Sequence, residues 1–416
     1  MKAKKLYIVL FFLMIVAVVS NAQNVQNAPG EYNRSSLYSI LLVDPSTKMS
    51  DEIINAYMSA PVPDKYNNHN LSLRYLTLSR SNQKSRKLEE IFSEFSQRNL
   101  IAKRMVAKWF NRDLETGGFD LSLIAERGMY NASASDLAMA MKSQRGHAVL
   151  TDAGEQLIGN SFLLVHNVTY IDKEEQAQTA KRVFNGISSV FGALFGTNIV
   201  STVADVGAMV SNTIAGFAVN VESMLYQLQW DNETADRFYA QYFYGKDEVD
   251  LSKKTAFEEE KGLFKLVYVG SYTARSDKTV MRGLNEPEEV FRKVIARAID
   301  KNIVALQKKF EMFKVVVPIY QVQGDQVLVQ IGLKEGVSAS SRYEVIERTE
   351  DENGKISYRR KGVIKPNPKM IWDDRYMAVE EEADNAGLSY TTFDIVSGSG
   401  FYPGMMVREI KYNSGN

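Results

Sequence analysis

Cysteine is the clearest absence from this sequence, since none of the 416 residues is one. The chain therefore has no disulfide, no thiol nucleophile and no cysteine to carry a lipid, and its fold depends on core packing alone. Histidine is scarce too, with only His69, His147 and His166. These three share no metal-site spacing, and no carboxylate stands at the offset that would complete a site.

The sequence also has no large excess of positive or negative residues. Lys plus Arg equals Asp plus Glu at 50 each, and without the first 22 residues, which contain Lys2, Lys4 and Lys5, the balance is 47 against 50, a net charge of −3. Nucleic-acid binding needs a basic face, so no nucleic-acid partner is expected. No polybasic run of the kind that binds anionic lipid stands beside an apolar segment.

Enzyme signatures are absent as well: the chain has no GxSxG, Walker A or GxGxxG motif. We therefore expect no catalytic residues, no cofactor and no resident metal. A cation-dependent hydrolase is the weaker alternative, because Asp373 and Asp374 beside Trp372 and the run Glu380–Glu382 could bind a hard cation. A solvated acidic loop explains the same residues. His166, in the middle of a predicted strand, is more typical of a packed or exposed side chain than of a ligand.

The first 22 residues have the pattern of a secretory signal peptide. Three lysines precede an apolar run from Leu6 to Val19, and Ser20-Asn21-Ala22 is a small-x-small cleavage site. The run is short for a membrane span, although an uncleaved anchor is the alternative. The expected location is the periplasm or an association with the outer membrane, after export by a cleavable signal peptide.

A long, nearly uncharged stretch from Gly186 to Val221 contains a single charge, Asp205. Small residues alternate with larger apolar ones at close to helical spacing, which predicts two short helices hinged near Gly196, followed by a strand. One interpretation is a buried helical hairpin, and the other is a surface that meets a membrane or a partner. In the second case the candidate interface residues of this insert, 183–216, are Val190, Phe191, Leu194, Phe195, Val203, Asp205, Val206 and Met209.

The remaining chain up to Phe313 alternates strand and helix patterns, which favours a sheet covered by helices. After the linker 23–35, strands are predicted over 36–44, 71–78, 119–126, 160–172, 217–230 and 263–273, and the strand over 217–230 is expected to have one wet face. Helices are predicted over 51–58 with a cap at Ser50, and over 84–112, 133–142, 151–158, 233–244 and 287–313, while 246–261 reads as a charged surface segment.

Beyond Phe313 the pattern changes to short strands and turns. Six strands are predicted over 314–323, 326–331, 342–348, 355–361, 391–397 and 405–410, with turns at Gly324-Asp325, 352–354 and Pro403-Gly404. The predicted fold class is α+β: a sandwich-type α/β domain over 36–313 with an apolar helical insert, and a small all-β barrel domain over 314–416.

Part of the sequence resembles the periplasmic α/β domain of the curli-secretion channel (CsgG) family. The matching signals are Gly118-Phe119, Glu126-Arg127, Ser135 to Ala138, and Ala153-Gly154 to Val165. The segment from Val327 to Val345 resembles the C-terminal domain of flagellar assembly protein T. The chain departs from the channel family in lacking its lipid-anchoring cysteine and in the helical spacing of the insert, where that family has a membrane β-hairpin.

The resemblance implies a role in envelope assembly. We expect an exported, non-enzymatic scaffold or secretion accessory protein that contacts an envelope protein or itself, with peripheral membrane contact as a further expectation. A periplasmic ligand-binding module, with its pocket between the α/β domain and the barrel, is the alternative.

Overall fold

The computed structural model describes residues 34–61, 66–67, 71, 73–78, 86–124, 157–172, 215–280, 287–350, 356–380 and 382–410. These residues form two sheets and the helices that pack on them, a mixed architecture that agrees with the α+β class. The predicted helices over 133–142 and most of 151–158 lie outside the described residues, as does the turn at 352–354.

The first sheet contains six strands with the path β2-β1-β4-β5-β6, and β3 also pairs with β1. Its strands are β1 (Arg34–Val43), β2 (Tyr66–Asn67), β3 (Tyr75–Thr77), β4 (Phe162–Asp172), β5 (Ala215–Leu228) and β6 (Leu266–Val280). Strand β1 runs parallel to β2, β3 and β4, whereas β5 is antiparallel to both of its neighbours. The sheet is therefore mixed, and β6 is its last strand on one side.

Helices cover both faces of this sheet. One face packs on α1 (Ser50–Ser59) and α6 (Pro287–Lys309), and the other on α2 (Leu88–Arg98), α3 (Ile101–Trp109), α4 (Asn232–Gln241) and α5 (Leu251–Glu259). The second face is rich in aromatic rings, with Phe110 and Phe238 only 4.4 Å apart between ring centres. Strands with both faces covered read as continuous apolar runs, as in the Leu163-Leu164-Val165 segment of β4.

Helix α6 has the apolar stripe that its sequence predicts. All eight positions of the stripe are buried against the sheet: Val290, Phe291, Val294, Ile295, Ala298, Ile299, Ile303 and Leu306. Pro287 is its first residue, where the missing backbone N–H costs nothing. No helix within the described ranges is long and apolar enough to cross a membrane.

Two helix predictions are corrected. The segment 84–112 forms α2 and α3 rather than one helix, because the amide group of Asn99 donates to the Phe95 carbonyl and Leu100 adopts a left-handed conformation with φ 54°. Helix α1 begins after Met49 with no side-chain cap, so the cap assigned to Ser50 is wrong. The segment 246–261 is more than a charged surface, since it forms α5 and buries Phe257.

Two strand predictions are also corrected. Of the strand predicted over 119–126, the described residues 119–124 make only an isolated bridge from Phe119 to Gly245, because Asp120 then accepts a hydrogen bond from the Ser122 backbone N–H and turns the chain. Strand β5 has no continuous wet face: Ser223 to Tyr226 are buried because helices lie on both sides.

The second sheet is antiparallel and curled into a half-barrel, with the order β7-β13-β10-β11-β12-β9-β8. Its strands are β7 (Val316–Pro318), β8 (Gln321–Gln323), β9 (Gln326–Val329), β10 (Arg342–Glu350), β11 (Ile356–Pro366), β12 (Thr391–Gly398) and β13 (Met406–Ile410). All six predicted strand segments are present, the first as β7 and β8. Strand β7 pairs with β13 at one edge and β8 pairs with β9 at the other, with only Ile319-Tyr320 between them.

A short turn attaches this sheet to α6. Residues Leu333–Glu335 form one turn of 3₁₀ helix in which the Gly332 N–H donates to the Glu335 carboxylate at 2.8 Å. Gly336 follows with φ 77°, and a Cβ there would lie 2.5 Å from the Val304 side chain. Glycine is therefore required at this contact by both conformation and space.

Candidate functional site

The candidate interface predicted in the apolar insert lies outside the described residues. This applies to Val190, Phe191, Leu194, Phe195, Val203, Asp205, Val206 and Met209. The described chain resumes at Ala215, the first residue of β5. Binding surfaces are therefore sought in the parts of the molecule that the structure describes.

His166 belongs to a buried hydrogen-bond chain on the α1/α6 face of the first sheet. Its Nδ1 lies 2.7 Å from Ser223 Oγ and its Nε2 lies 3.0 Å from Ser39 Oγ. The Tyr57 hydroxyl lies 2.6 Å from Ser39 Oγ, and the Asn302 amide donates to Ser223 Oγ at 2.6 Å. The chain therefore links three strands to α1 and α6.

This network belongs to the core and is closed to substrate. His166, Ser223 and Asn302 have no exposed surface, and burial lowers the pKa of His166 to about 3. The imidazole is therefore neutral at physiological pH and accepts one hydrogen bond while donating another. This agrees with the interpretation of His166 as a packed side chain rather than a ligand.

The acidic residues proposed for a cation site have other partners. Asp373 is buried and forms an ion pair with Arg375 at 2.6 Å, which lowers the pKa of the carboxyl group. Asp374 accepts a hydrogen bond from the Lys334 backbone N–H at 2.8 Å. Glu380 and Glu382 are exposed, and no group of three or more potential ligands comes together within the described ranges. The acidic loop thus attaches to the 333–335 turn.

Strand β6 is a long edge that no described residue pairs with on its outer side. Three large apolar side chains between Leu266 and Ser276 are exposed: Val267 at 50%, Tyr268 at 38% and Tyr272 at 44%. Val267 pairs with Gln227 and Tyr272 with Ser223, positions that lie on the same face of β5, so these two share the α6 face. An edge of this kind can accept a further strand.

A cavity of about 140 Å³ opens at the beginning of β6, between this strand and the α2–α3 turn. Its charged lining residues are Lys103, Lys261, Lys265 and Glu260. Lys103 donates to the backbone carbonyls of Glu258 and Glu260 at 2.9 and 3.0 Å, and burial lowers its pKa, with nearby Arg112 adding to the effect. Three lysines therefore meet one carboxylate, which itself accepts a hydrogen bond from the Tyr242 hydroxyl.

A second, larger pocket of about 340 Å³ lies where α6 meets the curled sheet. Its lining is basic and rich in hydroxyl groups, comprising Lys308, Lys314, Ser338, Ser340, Ser341, Arg342, Glu409 and Ile410. Lys314 forms an ion pair with Glu311 at 2.6 Å, whereas Lys308 stands 3.9 Å from Glu409 and donates to the Gly336 carbonyl. This is the location expected for the pocket of a ligand-binding module.

Sequence reasoning missed the cavity beside β6 and the open edge, and for the junction pocket it gave a location without naming any lining residue. The lysines of the first cavity come from α3 and from the segment before β6, about 160 residues apart in the chain, and no local motif connects them. The Val-Tyr pair at the beginning of β6 was the available signal for a binding edge. Without the order of the strands, however, this pair looks the same as the apolar residues of an interior strand. A search of protein-family models and of curated proteins finds no match to this chain.

Proposed function

We propose that this protein is an exported, non-enzymatic scaffold or assembly protein of the cell envelope, and that it acts by adding a strand of a partner protein to the open edge of β6. The observation that carries the proposal is this 15-residue edge strand with Val267, Tyr268 and Tyr272 exposed along it. Strand addition uses main-chain hydrogen bonds for affinity and side-chain contacts for specificity.

The apolar side chains of the edge make it unlike a protected one. Soluble proteins commonly blunt their edge strands with lysine, proline, β-bulges or short length, and of these devices β6 shows a register shift opposite Leu225 and Tyr226. Here the described side chains from Leu266 to Ser276 include one charged residue, Arg275, and no proline. Each exposed aromatic anchor at an interface contributes roughly 1–2 kcal/mol, so two anchors change affinity by about 30- to 1,000-fold.

A pair of double variants tests the proposal. Val267→Lys with Tyr272→Lys places two charges on the edge, and Val249→Lys with Leu251→Lys places two charges on exposed apolar positions elsewhere. Envelope extracts from cells producing each tagged chain would be compared by sedimentation velocity after circular dichroism has shown that both variants fold. We expect the edge variant to sediment as a monomer and the control to sediment with its partner; equal sedimentation of the two would refute the proposal.

The finer fold assignment belongs to the same proposal. We propose that residues 36–313 form a CsgG-like α/β domain and that residues 314–416 form a separate barrel. For the barrel, the support is that one continuous segment, 316–323, bonds to both edges of the curled sheet. The Val327–Val345 motif adds support, since Val327, Val329 and Val345 are all buried in its core.

The export signal and the compartment are parts of the proposal that fractionation tests. Periplasmic and outer-membrane fractions of cells producing the tagged chain would be compared, and the first residue of the mature protein would be determined. We expect the chain in one of these two fractions with Gln23 at its amino terminus. Retention in the cytoplasm would refute the envelope role.

A ligand-binding module is the second candidate, and the junction pocket favours it. Three basic residues and three serines around 340 Å³ suit a small anionic ligand. Titration with inorganic phosphate tests this, with Lys308→Gln as the pocket variant and Lys309→Gln as the control one residue away. We expect several-fold weaker binding for Lys308→Gln alone; equal binding by both variants would remove this candidate.

A further inference from the structure

The open edge of β6 and the lysine-lined cavity form one continuous surface. The Val267 side chain shares the α6 face, and Val267 is also one of the residues that line the cavity beside α2 and α3 at the edge of the strand, as are Leu266 and Lys265. A chain that pairs with the beginning of β6 therefore reaches the cavity directly. The two features can be occupied by a single ligand.

The direction of the added strand decides which of its ends meets the cavity. An antiparallel strand beside β6 has its carboxyl end next to Leu266, whereas a parallel strand would have its amino end there. Antiparallel pairs are more common, and they also match the pairing of β6 with β5. A free α-carboxylate is thus the group that an antiparallel tail would present to the cavity.

The charges of the cavity also favour the carboxyl end of the added strand. Lys103, Lys261 and Lys265 outnumber Glu260 by three to one, and no described residue forms an ion pair with any of these lysines. A terminal ammonium group would be repelled there, whereas a carboxylate would lower the excess of positive charge in the cavity from two to one. The α3 helix adds to this, since its first turn borders the cavity and has neither a capping side chain nor an acidic residue.

We infer that the partner of this protein presents a free carboxyl-terminal tail, whose backbone pairs antiparallel with β6 and whose terminal carboxylate enters the cavity lined by Lys103, Lys261 and Lys265. The cavity volume of about 140 Å³ leaves room for one terminal residue. The inference rests on the proposed function and specifies the class of partner that the edge accepts.

A pair of synthetic peptides tests this inference on the full chain. The probe is a fluorescein-labelled hexapeptide of alternating threonine and valine, prepared with a free carboxylate and as the carboxyl-terminal amide. Anisotropy titrations compare wild type, Lys261→Gln with Lys265→Gln, and the control Lys108→Gln, which removes one exposed charge at the other end of α3. We expect wild type and the control to bind the free acid at least tenfold more tightly than the amide, and the cavity variant to lose this preference.

The outcomes separate this inference from the proposed function. If acid and amide bind equally, and Val267→Lys with Tyr272→Lys weakens both, the carboxylate inference is overturned while strand addition stands. A preference for the acid that persists without Lys261 and Lys265 also overturns it. Displacement of the acid peptide by inorganic phosphate with equal affinity would identify a free-anion site and would also overturn the inference. Self-association of the purified chain through β6 would overturn it too. Absence of binding by both peptides would overturn it as well.

Discussion

The buried position of His166 leads to a defined dependence of stability on pH. Burial lowers the pKa of His166 to about 3, against 6.5 for an exposed histidine. The groups that face the ring are the hydroxyls of Ser39 and Ser223, the ring of Tyr57 and, through Ser223, the amide of Asn302. None of these groups supplies a negative charge that would favour protonation of the ring.

The sign follows from proton binding. Between pH 6.5 and pH 3 the unfolded chain binds a proton at His166 and the folded chain does not, so the free energy of unfolding falls as the pH falls through this window. With the two pKa values, the loss between pH 7.5 and pH 5 is about 2 kcal/mol. Such a loss is a substantial part of the stability of an ordinary domain.

Urea denaturation of wild type and His166→Gln at both pH values measures this effect. Glutamine keeps one donor and one acceptor but does not titrate, and other groups cancel in the comparison. We expect the variant to lose less stability than wild type between pH 7.5 and pH 5, by about 2 kcal/mol. Equal losses would mean that His166 titrates alike in the folded and unfolded states and would refute the buried hydrogen-bond chain.

Three further predictions concern packing and capping. Gly270→Ala should cost about 1–3 kcal/mol, because its Cβ would lie 2.3 Å from the Phe310 ring, and Phe310→Leu should relieve most of that cost in a double-variant cycle. Ser161→Ala should cost about 1–3 kcal/mol in a denaturation experiment, since it leaves the buried indole N–H of Trp109 without its 2.7 Å acceptor; a loss below 0.5 kcal/mol, roughly, would contradict this. Asp231→Ala should cost about 0.5–2 kcal/mol by removing the cap of α4, a loss that helical content by circular dichroism would also register.

The helices and strands that depend on local sequence patterns could be predicted from the sequence. Helix α6 was predicted because helical periodicity is a local signal, and the second-sheet strands were found because Gly324-Asp325 and Pro403-Gly404 mark the turns. The break at Leu100 was missed because a left-handed leucine leaves no pattern in hydrophobic spacing.

The binding surfaces depend on tertiary structure that local patterns do not contain. Whether β6 is an edge is decided by the order of strands, and the exposure of Tyr272 follows from that order. The partners of His166 come from β1, β5 and α1, so its burial could be guessed but its hydrogen bonds could not.

Amide hydrogen exchange along β6 tests the central claim most directly. The chain would be labelled as purified protein and again in the complex isolated from envelope extracts. Strand addition predicts that amides between Leu266 and Arg275 with fast exchange in the purified chain become slow in the complex, while those of the interior strand β5 stay slow in both. Unchanged exchange along β6 in the complex would contradict the account.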